Sequence, residues 1–506
     1  MAELETDVVV VGSGAGALTG ALTAASEGFE VVVLEKTPHV GGTSAYSGAA
    51  CWLPGSRVQE RAGLVDDSAE VRRYLEALVP QAEAARVEAF LATAPRLVDF
   101  LEEHPDLEFA WQPFPDYVDA PGRHPQGRSI VPLELEPERL GDLLALVRPP
   151  VQRDRWGRGH RDAPLDGGRA LIGRLLLALQ ATDRARVLAS TPMTELRVDG
   201  DRVAGVEAVG DDGPLTVHAR QGVLLAAGGF EADAQMRARH ATPGQARWSM
   251  GPAGANTGDA IRAGIAVGAA TDLLDEAWWC PALELADGSA AFLLGFRGGV
   301  LVDANGHRFA NESLPYDQMG RVLAERPDER VPCWLVFDDR EGGGVPAISM
   351  PGARPEDQLA AGAWVRADDL EELASATGLP ADVLSETVAA FNRAAEHGVD
   401  EEFGRGEDPY DRFFVAPAES PNPCLVPLDQ PPFTAARVVL GDLGTKGGLV
   451  TDADARVLRD DGTPIEGLYA SSNSVASLSG RCYPAPGIPL GTAMVFAHLA
   501  MCHLAG

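Results

Sequence analysis

The chain has 506 residues, 45% of them hydrophobic, and its 74 acidic residues outnumber 42 basic ones for a net charge of −32. That length supports two or more domains with substantial cores. The charge repels nucleic acid and anionic membrane surfaces alike, so neither is expected as a partner.

The first element is the most informative. Val8 to Val11 form an apolar run suited to a strand buried on both faces. It stops at Gly12, Ser13, Gly14, Ala15, Gly16 and Ala17, where a helix begins. Gly12 permits a tight turn, and Gly14 lets the backbone approach a pyrophosphate, which then sits on the helix N-terminus. Ala17 replaces a third glycine at a place that requires only close helix–strand packing. A second strand, Glu30 to Leu34, ends at Glu35, the distance at which an acid accepts hydrogen bonds from adenosine ribose hydroxyls. The first strand lies too close to Met1 for a signal peptide. No uncharged run is expected to reach the roughly 18 residues that a spanning helix needs, and the expected location is the cytoplasm.

Gly41, Gly42, Thr43 and Ser44 follow the acid closely and resemble the second glycine pair of the FAD-containing reductases, where backbone passes beside the flavin. Helical patterning then spans Ser68–Ala92 and Gly167–Gln180, and strands are expected around Thr194–Val209 and Thr216–Leu225. The run from Gly222 to Phe230, through Ala227 and Gly228, resembles the strand and turn that return to the adenosine end in the same reductases. FAD is therefore the expected cofactor. No second complete dinucleotide fingerprint occurs, so a built-in NAD(P)H site is not expected.

From about 281 to 434 the texture changes. A strand-like Gly299–Asp303, helical residues 366–397 and a proline-rich stretch near 409–432 are expected to form an inserted substrate domain. The FAD-binding domain is thus discontinuous, 1–280 and 435–506, around a catalytic insertion at 281–434. It resumes through Gly462–Ala470 and closes on a helix from about Gly491 to Leu504. The expected fold class is α/β, a Rossmann-like domain carrying an inserted α+β domain. Six scattered cysteines without Cys-x-x-Cys spacing point to no metal and no disulfide framework. The only two lysines, Lys36 and Lys446, both fall inside motifs.

Residues Gly299 to Glu312 resemble the motif that opens the cap of the fumarate reductase and succinate dehydrogenase flavoprotein superfamily. In the fumarate reductases an arginine follows that glutamate by four residues; here the position is Tyr316. A phenol cannot supply the fixed charge that a dicarboxylate needs. Most of the chain is similar instead to the 3-ketosteroid Δ1-dehydrogenases, through Pro115–Tyr117, Gly167–Ile172, Asn311–Tyr316, Gly444–Gly448 and Tyr483–Gly487. Arg481, Ala485 and Ile488–Gly491 depart from that family's usual residues.

The resemblance implies a catalytic set. Tyr483 and the Gly487 N–H would donate to a ketone oxygen, Tyr316 would remove the α proton, and Tyr117 would assist it. It implies non-covalent FAD held by Gly12, Ser13, Gly14, Ala15, Gly16, Ala17, Glu35, Lys36, Gly41, Gly42, Thr43, Ser44, Ser47, Gly48, Ala227, Gly228, Asn473, Gly487 and Leu490. The final helix would point its N-terminus at the flavin pyrimidine ring, where its dipole favours negative charge. The substrate would be an apolar cyclic ketone, a steroid foremost, against walls such as Trp278, Trp279, Phe292, Leu293, Leu294 and Phe296, and the electron acceptor quinone-like. A Δ4-(5α)-ketosteroid, another cyclic ketone, an enone or fumarate-type reductase, and a FAD protein for electron transfer or redox sensing stay open as alternatives.

Overall fold

A computed structural model describes residues 2–416 and 420–506. Residues 417–419, within the proline-rich stretch, lie outside the described residues. The chain divides into two compact units, one of residues 1–242, 251–277 and 444–506, the other of 243–250 and 278–443.

The first unit is built on an eight-stranded mixed sheet. β1 (Ala2–Val11) lies parallel between β2 (Val31–Leu34) and the strand Gly213–Leu225, with Val8 opposite both Val31 and Gly222. Val8, Val9 and Val10 are wholly buried, as expected for a strand covered on both faces. Ala185–Leu188 extends the sheet beyond β2. Met193–Asp199, Arg202–Gly210 and the first half of Gly213–Leu225 make an antiparallel flap, and Pro464–Ala470 returns parallel to the strand's second half. The expected strand Thr194–Val209 is two, reversed at Gly200 with φ 62°.

Helix α1 (Ala15–Ser26) packs against the C-terminal helix Ile488–Ala505. A Cβ on Gly16 would lie 2.9 Å from the Ala493 carbonyl, so only glycine permits this approach. The C-terminal helix also corrects an expectation. Residues 482–506 carry no Asp, Glu, Lys or Arg, and by length and composition the helix could cross a membrane. Half of it is buried inside the protein, where an uncharged helix suits a core. It starts three residues earlier than expected because Pro489, in the first turn, needs no N–H partner.

The expected helix Ser68–Ala92 is broken at Val79–Pro80 into Ser68–Leu78 and Ala84–Glu102, with a 3₁₀ turn between them. Gly167–Gln180 forms as expected.

The second unit holds a seven-stranded sheet in the order Val300–Val302, Cys333–Phe337, Phe433–Thr445, Ala277–Glu284, Ala290–Leu294, Ile348–Met350, with Trp364–Ala367 also on Phe433–Thr445. Its neighbours run antiparallel. The helical stretch expected over 366–397 begins in a strand and divides into Leu370–Thr377 and Ala381–His397, interrupted by Gly378 at φ 78° and by Pro380. Both helices bury Leu373, Leu384, Val388 and Phe391 in one cluster with Val300, Val302 and Val336. The fold is thus a Rossmann-like α/β sheet with a separate antiparallel α+β unit.

Candidate active site

The turn from β1 into α1 forms a cradle. Gly12 has φ 107°, and a Cβ there would run into the Ala226 carbonyl. The Ala15 N–H donates to Ser44 Oγ at 3.1 Å. Among the described residues, the N–H groups of Gly16 and Ala17 find no acceptor, although both residues are buried. The first turn carries no acid. Buried donors at a positive helix end suit a diphosphate.

Glu35 is buried and holds the loop behind that cradle. Its carboxylate accepts from the Ser13 hydroxyl, and from the Thr37 N–H and hydroxyl at 2.7 Å each. Ser13 Oγ in turn accepts the Gly41 N–H at 3.0 Å. A carboxylate has about four acceptor positions, so these bonds leave capacity for a ribose hydroxyl. The Lys36 ammonium donates to Thr257 Oγ1 at 2.6 Å and to Asp259 at 2.8 Å.

Residues 41–48 pass over the N-terminus of the Gly167–Gln180 helix, with the Gly168 N–H on the Ser47 carbonyl at 2.8 Å. A Cβ on Gly168 would strike the Ser44 carbonyl. A Cβ on Gly42 or Gly48 would meet no protein atom within 4 Å, which leaves room for a flat ring. Thr43 Oγ1 accepts from Asn256 Nδ2 at 2.7 Å, and that amide also donates to buried Glu231 at 2.6 Å. Ser474 Oγ joins the Ala227 N–H (3.1 Å) to the Gly228 carbonyl (2.9 Å). Asn473 sits in the same short turn, near Gly444. The donor set and the clear backbone fit FAD.

The segment Tyr483–Gly487 is pinned carbonyl by carbonyl. Pro484 O accepts the Tyr117 N–H at 2.8 Å and the Tyr74 hydroxyl at 2.6 Å. Pro486 O accepts Ser129 Oγ at 2.6 Å, and Gly487 O accepts the Trp52 N–H at 3.1 Å. Gly487 caps the C-terminal helix in the left-handed region, φ 82°. Among the described residues its N–H has no acceptor within the protein. Leu490, half-buried, is in the first turn.

The rings of Tyr117 and Tyr483 meet edge to face, centroids 5.3 Å apart. The Tyr117 loop is anchored by buried Asp116, which accepts from Trp52 Nε1 and the His124 N–H at 3.0 Å each and pairs with Arg128. Burial pushes the Asp116 carboxyl up to about 6, against the Arg128 guanidinium that holds it down.

Tyr316 lies in the other unit, at the first position of the helix Tyr316–Glu325 behind Pro315. Its ring stands edge-on to Phe292, centroids 4.9 Å apart. The helix closes on the strand Ala277–Glu284 at Gly320, where a Cβ would lie 2.5 Å from Trp279 Cβ. Just upstream, fully buried Glu312 ties the strand to the helix. It takes Arg308 at 2.8 Å, Arg405 at 3.0 Å and the Leu301 N–H at 3.1 Å. Trp278, Trp279, Phe292, Leu293, Leu294 and Phe296 are all buried.

The first unit therefore gathers Tyr117, Tyr483 and Gly487, and the second holds Tyr316. Sequence reasoning missed Tyr74, Asp116, Ser129, Ser474 and Asn256. Only Asp116, inside the Pro115–Tyr117 segment, carried a signal; Tyr74, Ser129 and Ser474 bind backbone atoms remote in sequence, and Asn256 binds side chains outside its own segment.

A model of the FAD binding domain matches residues 7–490. A 3-oxosteroid 1-dehydrogenase of Rhodococcus opacus is 43% identical, covering 98% of each chain. A 4-oxocyclohex-2-ene-1-carboxylate 5-dehydrogenase of Sinomonas cyclohexanicum is 34% identical over 98% of this chain and 92% of its own. A solved 3-ketosteroid Δ1-dehydrogenase of Sterolibacterium denitrificans, in complex with 1,4-androstadiene-3,17-dione, superposes with a TM-score of 0.90 at 34% identity over 99% of both chains.

Proposed function

This chain belongs to the 3-ketosteroid Δ1-dehydrogenase family, within the fumarate reductase and succinate dehydrogenase flavoprotein superfamily, and on that premise we propose that it desaturates a 3-ketosteroid between C1 and C2. The observation that carries the reading is the pinned Tyr483–Gly487 segment. Its carbonyls are held by Tyr117, Tyr74, Ser129 and Trp52, while the Gly487 N–H, among the described residues, stays unspent at a helix N-terminus. A fixed donor of that kind suits negative charge developing on a ketone oxygen.

In this reading Tyr483 and the Gly487 N–H hold the C3 oxygen and so acidify the neighbouring C2–H. Tyr316 removes that proton. A phenol with pKa near 10 is a weak base at neutral pH, and two features favour its anionic form: the helix dipole at the first position of Tyr316–Glu325 and assistance from Tyr117. Bound FAD supplies the acceptor for the hydride that leaves C1. Gly12–Ala17 hold its diphosphate, Glu35 its ribose, and residues 41–48 with Ala227, Gly228, Asn473 and Leu490 its remaining length, without a covalent bond. The electron acceptor is quinone-like.

Replacing Tyr316 by Phe tests the base. FAD content and steroid affinity should hold while anaerobic flavin reduction slows by about 10²–10⁴. Reduction at the wild-type rate would remove Tyr316 from the role. The Sinomonas relative favours a second reading, a monocyclic ketone substrate, which predicts faster reduction by 4-oxocyclohex-2-ene-1-carboxylate than by any steroid.

A further inference from the structure

Lys446 is 1% exposed. Its backbone is fixed on both sides, the N–H on the Glu276 carbonyl at 2.9 Å and the carbonyl on the Ser477 N–H at 3.0 Å. From there the side chain runs under the peptide that precedes Tyr483. Nζ donates to the carbonyls of Arg481 (3.2 Å) and Cys482 (3.1 Å) and lies 5.9 Å from the centre of the Tyr483 ring. The Arg481 guanidinium is engaged instead with Asp275 and Glu276.

Burying an ammonium is costly, and an aliphatic side chain would fill the same space without that cost. The return is local. Two carbonyls fix the peptide that carries the tyrosine, and a positive charge near the ring draws electron density from it. A phenol so polarised is a stronger hydrogen-bond donor, and inside the protein the charge is little screened.

We propose that Lys446 is a positioning residue for Tyr483: it fixes the Arg481 and Cys482 peptides and sets a buried positive charge beside the ring, so that the Tyr483 hydroxyl polarises a ketone more strongly. This rests on Tyr483 being the carbonyl donor. Lys446 touches no substrate and acts only through the tyrosine.

The test uses oxidised holoenzyme with 1,4-androstadiene-3,17-dione bound and ¹³C-labelled at C3, reading the carbonyl stretch by difference infrared spectroscopy. Lys446→Gln keeps a donor for the carbonyls and removes the charge; Lys446→Arg keeps the charge. The proposal predicts that Lys446→Gln loses a large part of the wild-type shift to low frequency and reduces its flavin about tenfold more slowly, at unchanged FAD content, and that Lys446→Arg recovers most of both. If Lys446→Gln does not fold, Lys446→Met replaces it. Tyr483→Phe separates the two claims. If that variant loses the shift and the Lys446 variants keep it, the lysine proposal fails and the tyrosine reading stands. If Tyr483→Phe keeps the shift, the tyrosine reading itself fails. Equal losses in the Gln and Arg variants would mark a packing role and overturn the proposal.

Discussion

Replacing Gly487 by Ala adds one methyl group at the place where the account is most exposed. The residue sits at φ 82°, φ and ψ being in the left-handed region, which costs an L residue about 1–2 kcal/mol. Sterics add to this. The new Cβ would lie 2.8 Å from the Cys51 nitrogen and closer still to the Ala50 carbonyl, both backbone atoms that cannot rotate away. Relief requires the 484–487 turn and the Ala50–Cys51 backbone to separate, carrying the Gly487 N–H with them. A shift of about 1 Å in a catalytic donor costs about 10²-fold in rate, and outright loss of one such donor costs about 10²–10³. The assay is anaerobic stopped-flow reduction by androst-4-ene-3,17-dione, with FAD occupancy read from the visible spectrum. FAD should remain bound, because the cradle at Gly12–Ala17 is untouched, while reduction slows at least about 10²-fold. Reduction within about threefold of wild type would refute the donor role of Gly487.

Three further outcomes follow from the buried charges. Asp116 titrates near 6 in the folded protein against 3.8 unfolded, so its contribution to stability is complete below the unfolded value and is lost as pH rises through about 6, on the order of 3 kcal/mol in all. Urea unfolding of wild type and Asp116→Asn at pH 4.5 and pH 7 should therefore show wild type losing ground to the variant at the higher pH; a constant difference would contradict it. Glu312→Ala leaves the Arg308 and Arg405 guanidinia buried without their shared carboxylate and should lower unfolding free energy by about 3–5 kcal/mol, measured by denaturant titration. Glu35→Gln cannot accept all of the Ser13 and Thr37 donors and should weaken FAD binding by about 10–100-fold, measured by titrating the apoprotein with FAD.

The nucleotide-binding half was legible because its requirements are local. Strand, glycine turn, helix and acid follow one another within residues 8–35, and each residue type has one physical reason to be there. The helix Gly167–Gln180 could likewise be read from its own period. Errors came where a single residue overrules a pattern: Pro80 ends a helix whose apolar period runs on past it, Gly200 folds one apparent strand into two, and Gly378 with Pro380 divides 366–397. The C-terminal helix was misjudged, since residues 482–506 carry no Asp, Glu, Lys or Arg and exceed the length that a spanning helix needs. The supports of the candidate site could not be read at all. Tyr74 reaches a carbonyl 410 residues away and Ser129 one 357 residues away, and hydrogen bonds to backbone leave no trace in the partner's side-chain identity. Tyr316, Tyr483 and Gly487 came instead from family resemblance, since nothing in composition or period separates a catalytic tyrosine from a core one.

The most direct test of the central claim is to mix the oxidised protein anaerobically with androst-4-ene-3,17-dione, following flavin absorbance and identifying the steroid by mass and NMR. The account predicts bleaching, with loss of two hydrogens and a new double bond between C1 and C2. No bleaching in protein that dithionite still reduces, or a new double bond elsewhere in the rings, would contradict it.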